Sequence, residues 1–515
     1  MSKRIALFWP GDAREKPNEL ARPAMLEATK QLTTALQKLG KEPYLVEGFL
    51  SKPHESIEKL GPVRDPMIGV CTHWFYGPHT TDGVVGKDNP LLLASNFSGQ
   101  WPGLVGLLNT GACLEMLERP FSRAWTDAAD MSSDEVFMER LREWCSTGQI
   151  KYPEDEIAGH APISVDAAAR ARGVAAQIRD RRILTLMLGD TSMGMINGYF
   201  GPRLLTRHGF TEHKVDQAWI IDRGRRIEEK RIDAALAFVK EKGLEFHWGK
   251  DAHLGTEDFT EQATREQLRD YLVVLDLLQE FKADCLGWQY QLGLIPLRPP
   301  SDLAEGLFNS TCRPESNGDT VATATEADQG NVMPMEMLKR LLKAKGLHQA
   351  VMFHDVRWGA VHPSDPKRFL WVLLNSGSCG AYAFNHDPNT LRGAHSYRQP
   401  PGYFPTPGGT LAGESLPGEI TWARAYIKKG ELWMDVGKGE VVKLPEPVRD
   451  QWWEGTTRQW PFMAADLGVS RDTLMAHFLS NHVAVAYGDV FGEMVALSQE
   501  LGFKVRVWGK KAFGG

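Results

Sequence analysis

Two acidic segments in the second half of the chain could hold a cation or transfer a proton. Glu326 and Asp328 lie just before a helical pattern at 333–342, and Asp355 follows the apolar run 350–353. A carboxylate beside the positive end of a helix and another at the end of a strand are favoured positions for a cation ligand or an acid–base pair. The alternative interpretation is that Glu326 and Asp328 only cap the helix, as acids commonly do.

A third segment lies far downstream, where Asn481 and His482 precede a run of small and β-branched residues that ends at Tyr487-Gly488. A single histidine beside such a run is more often a core residue than a ligand. His482 supports a functional interpretation of the two acidic segments only when the three segments are taken together.

The elements that must position these residues alternate between strand and helix in the first two thirds of the chain. Strand patterns at 5–9, 67–71 and 183–188 are separated by helical patterns, among them 24–39 and 165–182, the latter with Ser164 as its N-cap. Such alternation predicts βαβ units and parallel sheets covered on both faces. Ligands of such sheets bind at the loops that follow the strands.

After Asp355 the pattern changes to short strands separated by glycine and proline, at 369–374, 380–384, 420–427, 431–436 and 440–444. This spacing is typical of an antiparallel β-rich domain. We therefore predict an α/β protein with two doubly wound, Rossmann-like βαβ domains at 1–163 and 164–348, the second carrying Glu326. A β-rich C-terminal domain at 349–515 would carry Asp355 and His482.

Composition narrows the class of protein. The chain has 515 residues and a formal net charge of −6, which argues against nucleic acid or an anionic membrane surface as the partner. Its six cysteines have no framework spacing, so we expect free thiols in a reducing compartment. The apolar stretch at 5–9 is too short for a signal peptide, and no run reaches the length of a transmembrane helix. We expect a cytoplasmic protein with no membrane partner.

The three segments, taken in order, resemble the L-fucose isomerase family, whose hexameric enzymes interconvert aldoses and ketoses with a bound Mn²⁺. The family pattern has a Glu two residues before an Asp, a hydrophobic strand that ends in Asp-Val-Arg, and an Asn-His shortly before a Tyr-Gly. The resemblance implies that Glu326, Asp355 and His482 bind Mn²⁺, with Mg²⁺ or another divalent metal as the alternative. It also implies a small-molecule sugar substrate and a homo-oligomer, a hexamer in the family.

Further matches imply residues that contact the sugar. The segment Trp74-Phe-Tyr-Gly resembles one whose Trp reaches into a neighbouring subunit's site, and the turn at 190–194 resembles a Ser-Met-Gly turn of the family. The implied contacts are Arg14 or Arg22, Trp74, Gln289 or Gln291, Trp460 and Asn481.

The implied chemistry is a cis-enediol isomerisation. Glu326 and Asp355 would be both metal ligands and the acid–base pair, and the sequence does not decide which of them takes the proton. Asp328, His354 and Arg357 would orient the ligands. Because Phe478-Leu479 stands where the fucose enzymes have a polar residue, another sugar is expected. A sugar with an acidic group is an open alternative, because arginines that could bind such a group lie at 14, 22, 357, 392 and 398.

Two other classes of protein share some of these features. A metal-dependent lyase or epimerase would use the same enediolate. A sugar-responsive regulator is suggested by the segment 465–478, which has the cadence of a helix-turn-helix unit. The segment has one Arg and no Lys to contact phosphates, and it leads directly into His482, so we favour the isomerase.

Overall fold

A computed structural model describes residues 2–96, 103–191, 193–249 and 258–509. Its first region alternates strands and helices: β1 (Arg4–Pro10), α1 (Glu15–Lys38), β2 (Glu42–Leu50), α2 (Pro53–Leu60), β3 (Met67–Cys71), α3 (Pro78–Val84), β4 (Leu91–Asn96), α4 (Gly103–Met116), β5 (Ser122–Thr126) and α5 (Glu135–Thr147). The strands form one parallel sheet in the order β2-β1-β3-β4-β5. Successive residues of β1 enter two different cores, Phe8 in one and Leu7 in the other. The sheet is therefore covered on both faces, as predicted.

The second region contains β6 (Ile157–Ala158), α6 (Val165–Arg181), β7 (Ile183–Leu188), α7 (Gly201–Arg207), β8 (Phe210–Val215), α8 (Ala218–Gly224), α9 (Glu229–Glu241), β9 (Glu245–Phe246), α10 (Glu261–Phe281), β10 (Cys285–Trp288), α11 (Asp302–Phe308), β11 (Ala322–Thr325) and α12 (Gln329–Ala344). Four of its strands form a parallel sheet in the order β11-β10-β7-β8. Ser164 caps α6, because its hydroxyl accepts a hydrogen bond from the Ala167 amide at 3.2 Å. Both the second sheet and this cap agree with the sequence.

The C-terminal region contains β12 (Val351–His362), β13 (Asp365–Leu374), α13 (Tyr382–Asn385), β14 (His395–Ser396), β15 (Gly418–Lys428), β16 (Glu431–Val441), α14 (Glu446–Glu454), β17 (Phe462–Asp466), α15 (Arg471–His477), β18 (His482–Tyr487), α16 (Phe491–Glu500) and β19 (Lys504–Trp508). The strands β15, β18, β12, β13, β17 and β16 pair in that order with antiparallel neighbours, and β16 pairs back to β15. The sheet closes into a barrel, so the β-rich prediction is confirmed. β19 and β6 extend the sheet beyond β16.

Several local predictions in this region are wrong. The segment 380–384 contains the short helix α13 instead of a strand, and the strands expected at 431–436 and 440–444 form the single strand β16. Asp355 does not end its strand, because the residues after it continue β12 in pairing with β13. The segment with the helix-turn-helix cadence begins inside the strand β17. The rest of the segment contains a single helix, α15, and therefore not the two helices of a recognition unit.

The limits of the three domains stay a prediction. All six cysteines are free and buried. Within the described ranges, no helix combines the length and the apolar character that crossing a membrane requires.

Candidate active site

Three neighbouring strands of the second sheet end beside one another and carry site residues in the loops that follow. Glu326 follows β11 directly, Gln291 lies three residues after β10, and Met193 lies five residues after β7. Because β11, β10 and β7 are adjacent and parallel, their carboxyl ends meet at one edge of the sheet. All three side chains line the same cavity.

The barrel supplies the other two predicted ligands from adjacent strands. β12 and β18 are antiparallel, and their register places Asp355 directly opposite His482. The Nε2 atom of His482 lies 3.0 Å from Asp355 Oδ1 and 3.6 Å from Glu326 Oε2. One carboxylate from the second sheet and one carboxylate and one imidazole from the barrel therefore converge at one point, although these residues are far apart in the sequence.

The backbone at Glu326 is strained. Glu326 and Ala327 have φ angles of 60° and 53°, so two consecutive residues with a Cβ atom occupy the left-handed region. Each such residue costs about 1–2 kcal/mol. Strain of this kind persists where the surrounding structure enforces it, which is most often at a functional site.

The two acids of this segment have different roles. Asp328 is the N-cap of α12, since its Oδ1 accepts a hydrogen bond from the Gly330 amide at 2.8 Å. Glu326 instead faces the cavity and accepts a hydrogen bond from Gln291 Nε2 at 3.1 Å. The capping interpretation therefore holds for Asp328 but not for Glu326.

Asp328 also fixes the orientation of His482. Its Oδ2 accepts hydrogen bonds from His482 Nδ1 at 2.7 Å and from the Arg424 guanidinium at 2.5 Å. Burial alone would raise the pKa of Asp328, but Arg424 and His482 hold it at about 2. The carboxylate stays charged and binds Nδ1, so Nε2 is the ring nitrogen that faces Glu326 and Asp355.

The electrostatics of the cluster favour positive charge. Burial raises the pKa of Glu326 to about 8. For His482, burial acts in the opposite direction, but Asp328 and Asp355 raise its pKa to about 9. Glu326 and His482 thus both retain a proton near neutral pH. A divalent cation that binds these side chains can replace the two protons.

The donor atoms fit a six-coordinate divalent cation. With metal–ligand distances of about 2.1 Å, neighbouring ligands of an octahedral ion lie about 3.0 Å apart. His482 Nε2 lies 3.0 Å from Asp355 Oδ1 and 3.6 Å from Glu326 Oε2, which is close to that separation. Two carboxylates and one imidazole leave further positions for substrate oxygens, and the set suits Mn²⁺.

The predicted sugar contacts divide into those that line the cavity and two that do not, Gln289 and Arg22; the guanidinium of Arg22 lies 5.1 Å from the centre of the Phe49 ring. The cavity wall includes Arg14, Trp74, Gln291, Trp460 and Asn481. Gln289 is directed elsewhere, where its Oε1 accepts hydrogen bonds from Gln217 Nε2 at 3.0 Å and the Asp190 amide at 3.1 Å. Of the two glutamines, Gln291 is therefore the one at the site.

Trp74 lines the cavity of its own chain. The loop after β3 thus reaches the site within one chain. The contact with a neighbouring subunit's site, which the resemblance implied, stays a prediction. The Ser192 residue of the Ser-Met-Gly turn lies outside the described residues.

Two of the residues expected to orient the ligands, His354 and Arg357, make no hydrogen bond to them in the described part of the chain. His354 is fully buried, and neither of its ring nitrogens has a hydrogen-bond partner in the described part of the chain. Arg357 lines the cavity itself. The orienting residues are Asp328, as expected, and Arg424, which the sequence analysis did not identify.

Sequence analysis also missed part of the cavity wall, namely Asn375, Ser376, Tyr403 and Phe404. These residues lie in loops that follow β13 and β14 and belong to no recognised pattern. The aromatic pair at 403–404 within a proline-rich loop is the one local signal that could have drawn attention.

A second group of possible metal ligands lies elsewhere, at Glu245, His247 and His395, with donor atoms within 4.8 Å of one another. The three residues are partly or largely exposed, and they join β9 to β14. They are therefore a separate candidate for metal binding, away from the buried site.

Comparison with known proteins gives one family match. Residues 373–509 match the family model described as L-fucose isomerase, C-terminal domain. No curated protein matches the chain. The matched segment contains His482, Trp460 and Asn481, whereas Glu326 and Asp355 lie before it.

Proposed function

We propose that this chain, which belongs to the L-fucose isomerase family through its C-terminal domain, is a metal-dependent aldose–ketose isomerase. Its substrate would be a free or modified monosaccharide and its reaction a cis-enediol proton transfer. The observation that carries the proposal is the convergence of Glu326, Asp355 and His482 at one point inside a tryptophan-lined cavity.

Glu326, Asp355 and His482 would hold the divalent cation, with Mn²⁺ preferred and Mg²⁺ or another divalent metal as alternatives. When bound, the cation polarises the sugar carbonyl and stabilises negative charge on the neighbouring oxygens, worth several kcal/mol. The protein's contribution is to hold the three donor side chains in fixed positions. Asp328 and Arg424 keep the His482 ring in position, and Gln291 keeps the Glu326 carboxylate in position.

The proton that moves between C2 and C1 of the sugar requires an acid–base group beside the reacting carbons. Glu326 and Asp355 are the carboxylates in the described wall of the cavity, and one of them would carry the proton. Such a positioned group contributes roughly 10²–10⁴-fold in rate.

The cavity walls would orient the sugar. Trp74 and Trp460 offer apolar faces to the C–H groups, and Asn481 and Gln291 offer amides to the hydroxyls. Trp460 is itself held in place, since its Nε1 donates a hydrogen bond to Gln399 Oε1 at 2.8 Å. The same surfaces exclude water from the reacting carbons.

The family resemblance also supports a homo-oligomer, with a hexamer as the proposed form. A cytoplasmic location is also part of the proposal, because free cysteines are typical of a reducing compartment. Both points are open to direct measurement by light scattering and by fractionation.

The decisive experiment is NMR of metal-stripped protein with a panel of aldoses in D₂O, with and without Mn²⁺. We expect Mn²⁺-dependent ketose, with solvent deuterium at C1 or C2. Cleavage fragments would show a lyase, and an inverted sugar without ketose would show an epimerase. If no aldose changes although Mn²⁺ binds, the proposed reaction is wrong.

Variants assign the ligands in the same assay. Glu326→Gln and His482→Ala should lose both tight Mn²⁺ binding and turnover. His54→Ala, at an exposed histidine that belongs to neither group of possible metal ligands, is the matched control and should keep both. Full turnover by either ligand variant would refute the assignment.

A further inference from the structure

Within the described part of the chain, the buried charge of Arg357 has no hydrogen-bonded or ionic partner. Its residue is 6% exposed, and its Nε is fully enclosed and makes no hydrogen bond. In the part of the chain that the structure describes, its guanidinium makes neither a hydrogen bond nor an ion pair. Leaving a buried charge unpaired costs several kcal/mol, so proteins seldom keep one without a use.

The backbone directs this side chain into the cavity. The pairing of β12 with β13 shifts register between Val356 and Trp358, so Arg357 is the extra residue of a β-bulge. Bulges disrupt the ladder locally and re-aim a side chain, and they are common beside active sites. Arg357 accordingly lines the cavity with Asp355, and its guanidinium lies 5.5 Å from the centre of the Trp460 ring.

Charges in the cavity wall balance except for Arg357. Arg14 is neutralised by Asp12, with contacts of 2.9 Å and 2.6 Å from its Nε and terminal nitrogen. A divalent cation would neutralise Glu326 and Asp355. One positive charge then remains in the described wall, at Arg357.

We infer that the substrate is an aldose that carries an anionic group, a carboxylate, sulfonate or phosphate, and that Arg357 binds this group. The inference rests on the proposed isomerase function and names its substrate class. Arginine matches such groups because its planar fork can donate two parallel hydrogen bonds to one anion. Asp355 and Arg357 are two residues apart, about 7 Å along a strand, which is about the length of a six-carbon chain. The cation and the anionic group would thus hold opposite ends of the sugar.

A different role for Arg357 would be to stabilise negative charge on the reacting oxygens, for any sugar. The two roles predict different substrate preferences. If Arg357 serves the reacting oxygens, its removal impairs neutral and anionic sugars equally. If it binds an anionic group, its removal impairs only the anionic ones.

The test compares hexitols, which cannot be isomerised, so that binding is measured independently of turnover. Hexitol, hexitol 6-phosphate and 6-deoxy-6-sulfohexitol are titrated calorimetrically into the full-length Mn²⁺-loaded protein. We expect an anionic hexitol to bind roughly 10- to 100-fold more tightly than the neutral one. Comparing the sulfonate with the phosphate shows which of these two anionic groups is preferred. A hexonate whose carboxylate is remote from the metal-binding end tests the carboxylate.

Three variants accompany the titrations. Arg357→Met should remove the preference, and Arg357→Lys, which keeps the charge without the fork, should restore part of it. Arg203→Met, at an exposed arginine, is the matched control and should leave the preference unchanged. Far-UV circular dichroism and Mn²⁺ affinity check that each variant is folded.

Equal affinity for neutral and anionic hexitols in the unmodified protein would overturn the inference, as would a preference that survives Arg357→Met. Either result leaves the proposed function intact if a neutral aldose is isomerised with Mn²⁺. Failure of the proposed function would appear separately, as an absence of ketose from neutral and anionic aldoses alike.

Discussion

Asp328→Asn is the substitution that tests how the buried histidine is held. Asp328 accepts hydrogen bonds from both His482 Nδ1 and Arg424, and both partners are buried. Asparagine keeps the size of the side chain and its capping oxygen but removes the charge. Arg424 then becomes an unpaired buried cation, and His482 loses the acceptor that fixes its ring.

The structure predicts two effects of different size. Breaking a buried ion pair by neutralising one partner costs about 3–5 kcal/mol of unfolding free energy. Losing the carboxylate behind a metal-binding histidine costs roughly 10- to 100-fold in metal affinity. Because the pKa of Asp328 is lowered from 3.8 to about 2, its stabilisation is complete above about pH 4 and is lost as the pH falls toward 2.

The assay combines urea unfolding with Mn²⁺ titration at neutral pH. The matched control is Asp435→Asn, because Asp435 is also fully buried and pairs with Arg506 at 2.7 Å and 2.8 Å, in the barrel away from the cavity. Both variants should lose similar stability, but only Asp328→Asn should lose Mn²⁺ affinity. Equal Mn²⁺ affinity in the two variants would refute the orienting role of Asp328.

Two further predictions concern the site wall and the acid stability of the fold. Gln291→Ala should lower kcat/KM by roughly 10- to 100-fold, because Gln291 positions the Glu326 carboxylate. The control Gln289→Ala should change kcat/KM little, since Gln289 is directed to Gln217. Steady-state kinetics tests this prediction, and equal kcat/KM in the two variants would contradict it. Burial lowers the pKa of His73 to about 4 from 6.5, so the neutral ring stabilises the fold above about pH 6.5 and this stabilisation is lost as the pH falls through 4. His73→Gln, whose amide can still donate to Asn18, should make the unfolding free energy less dependent on pH between 6.5 and 4, while the exposed-site control His54→Gln should keep the original slope.

Local patterns in the sequence were sufficient for the elements that carry the site. The strand patterns at 67–71 and 183–188 match β3 and β7, because a parallel strand buried on both faces requires a short continuous apolar run. The segments with Glu326, Asp355 and His482 also stood out locally, since charged or imidazole groups beside apolar strands need a partner. The family match of residues 373–509 includes the His482 segment and agrees with the resemblance seen there.

The wrong predictions arose where contacts with residues distant in the sequence decide the local structure. Asp355 looked like the end of a strand because the apolar run stops there, but pairing with β13 carries β12 on to His362. Gln289 and Gln291 are equivalent in sequence, and the turn after β10 directs Gln291 to Glu326 and Gln289 to Gln217.

The sequence by itself determined the class of fold and the residue types available for catalysis, because apolar periodicity and motif spacing are local properties of the chain. Tertiary structure alone decided how these residues meet. The register of β12 against β18 sets Asp355 opposite His482, and the bulge at Arg357 turns an unpaired charge into the cavity. Both depend on hydrogen bonds between strands that are distant in the chain, and no local pattern specifies which strands pair or where their register shifts.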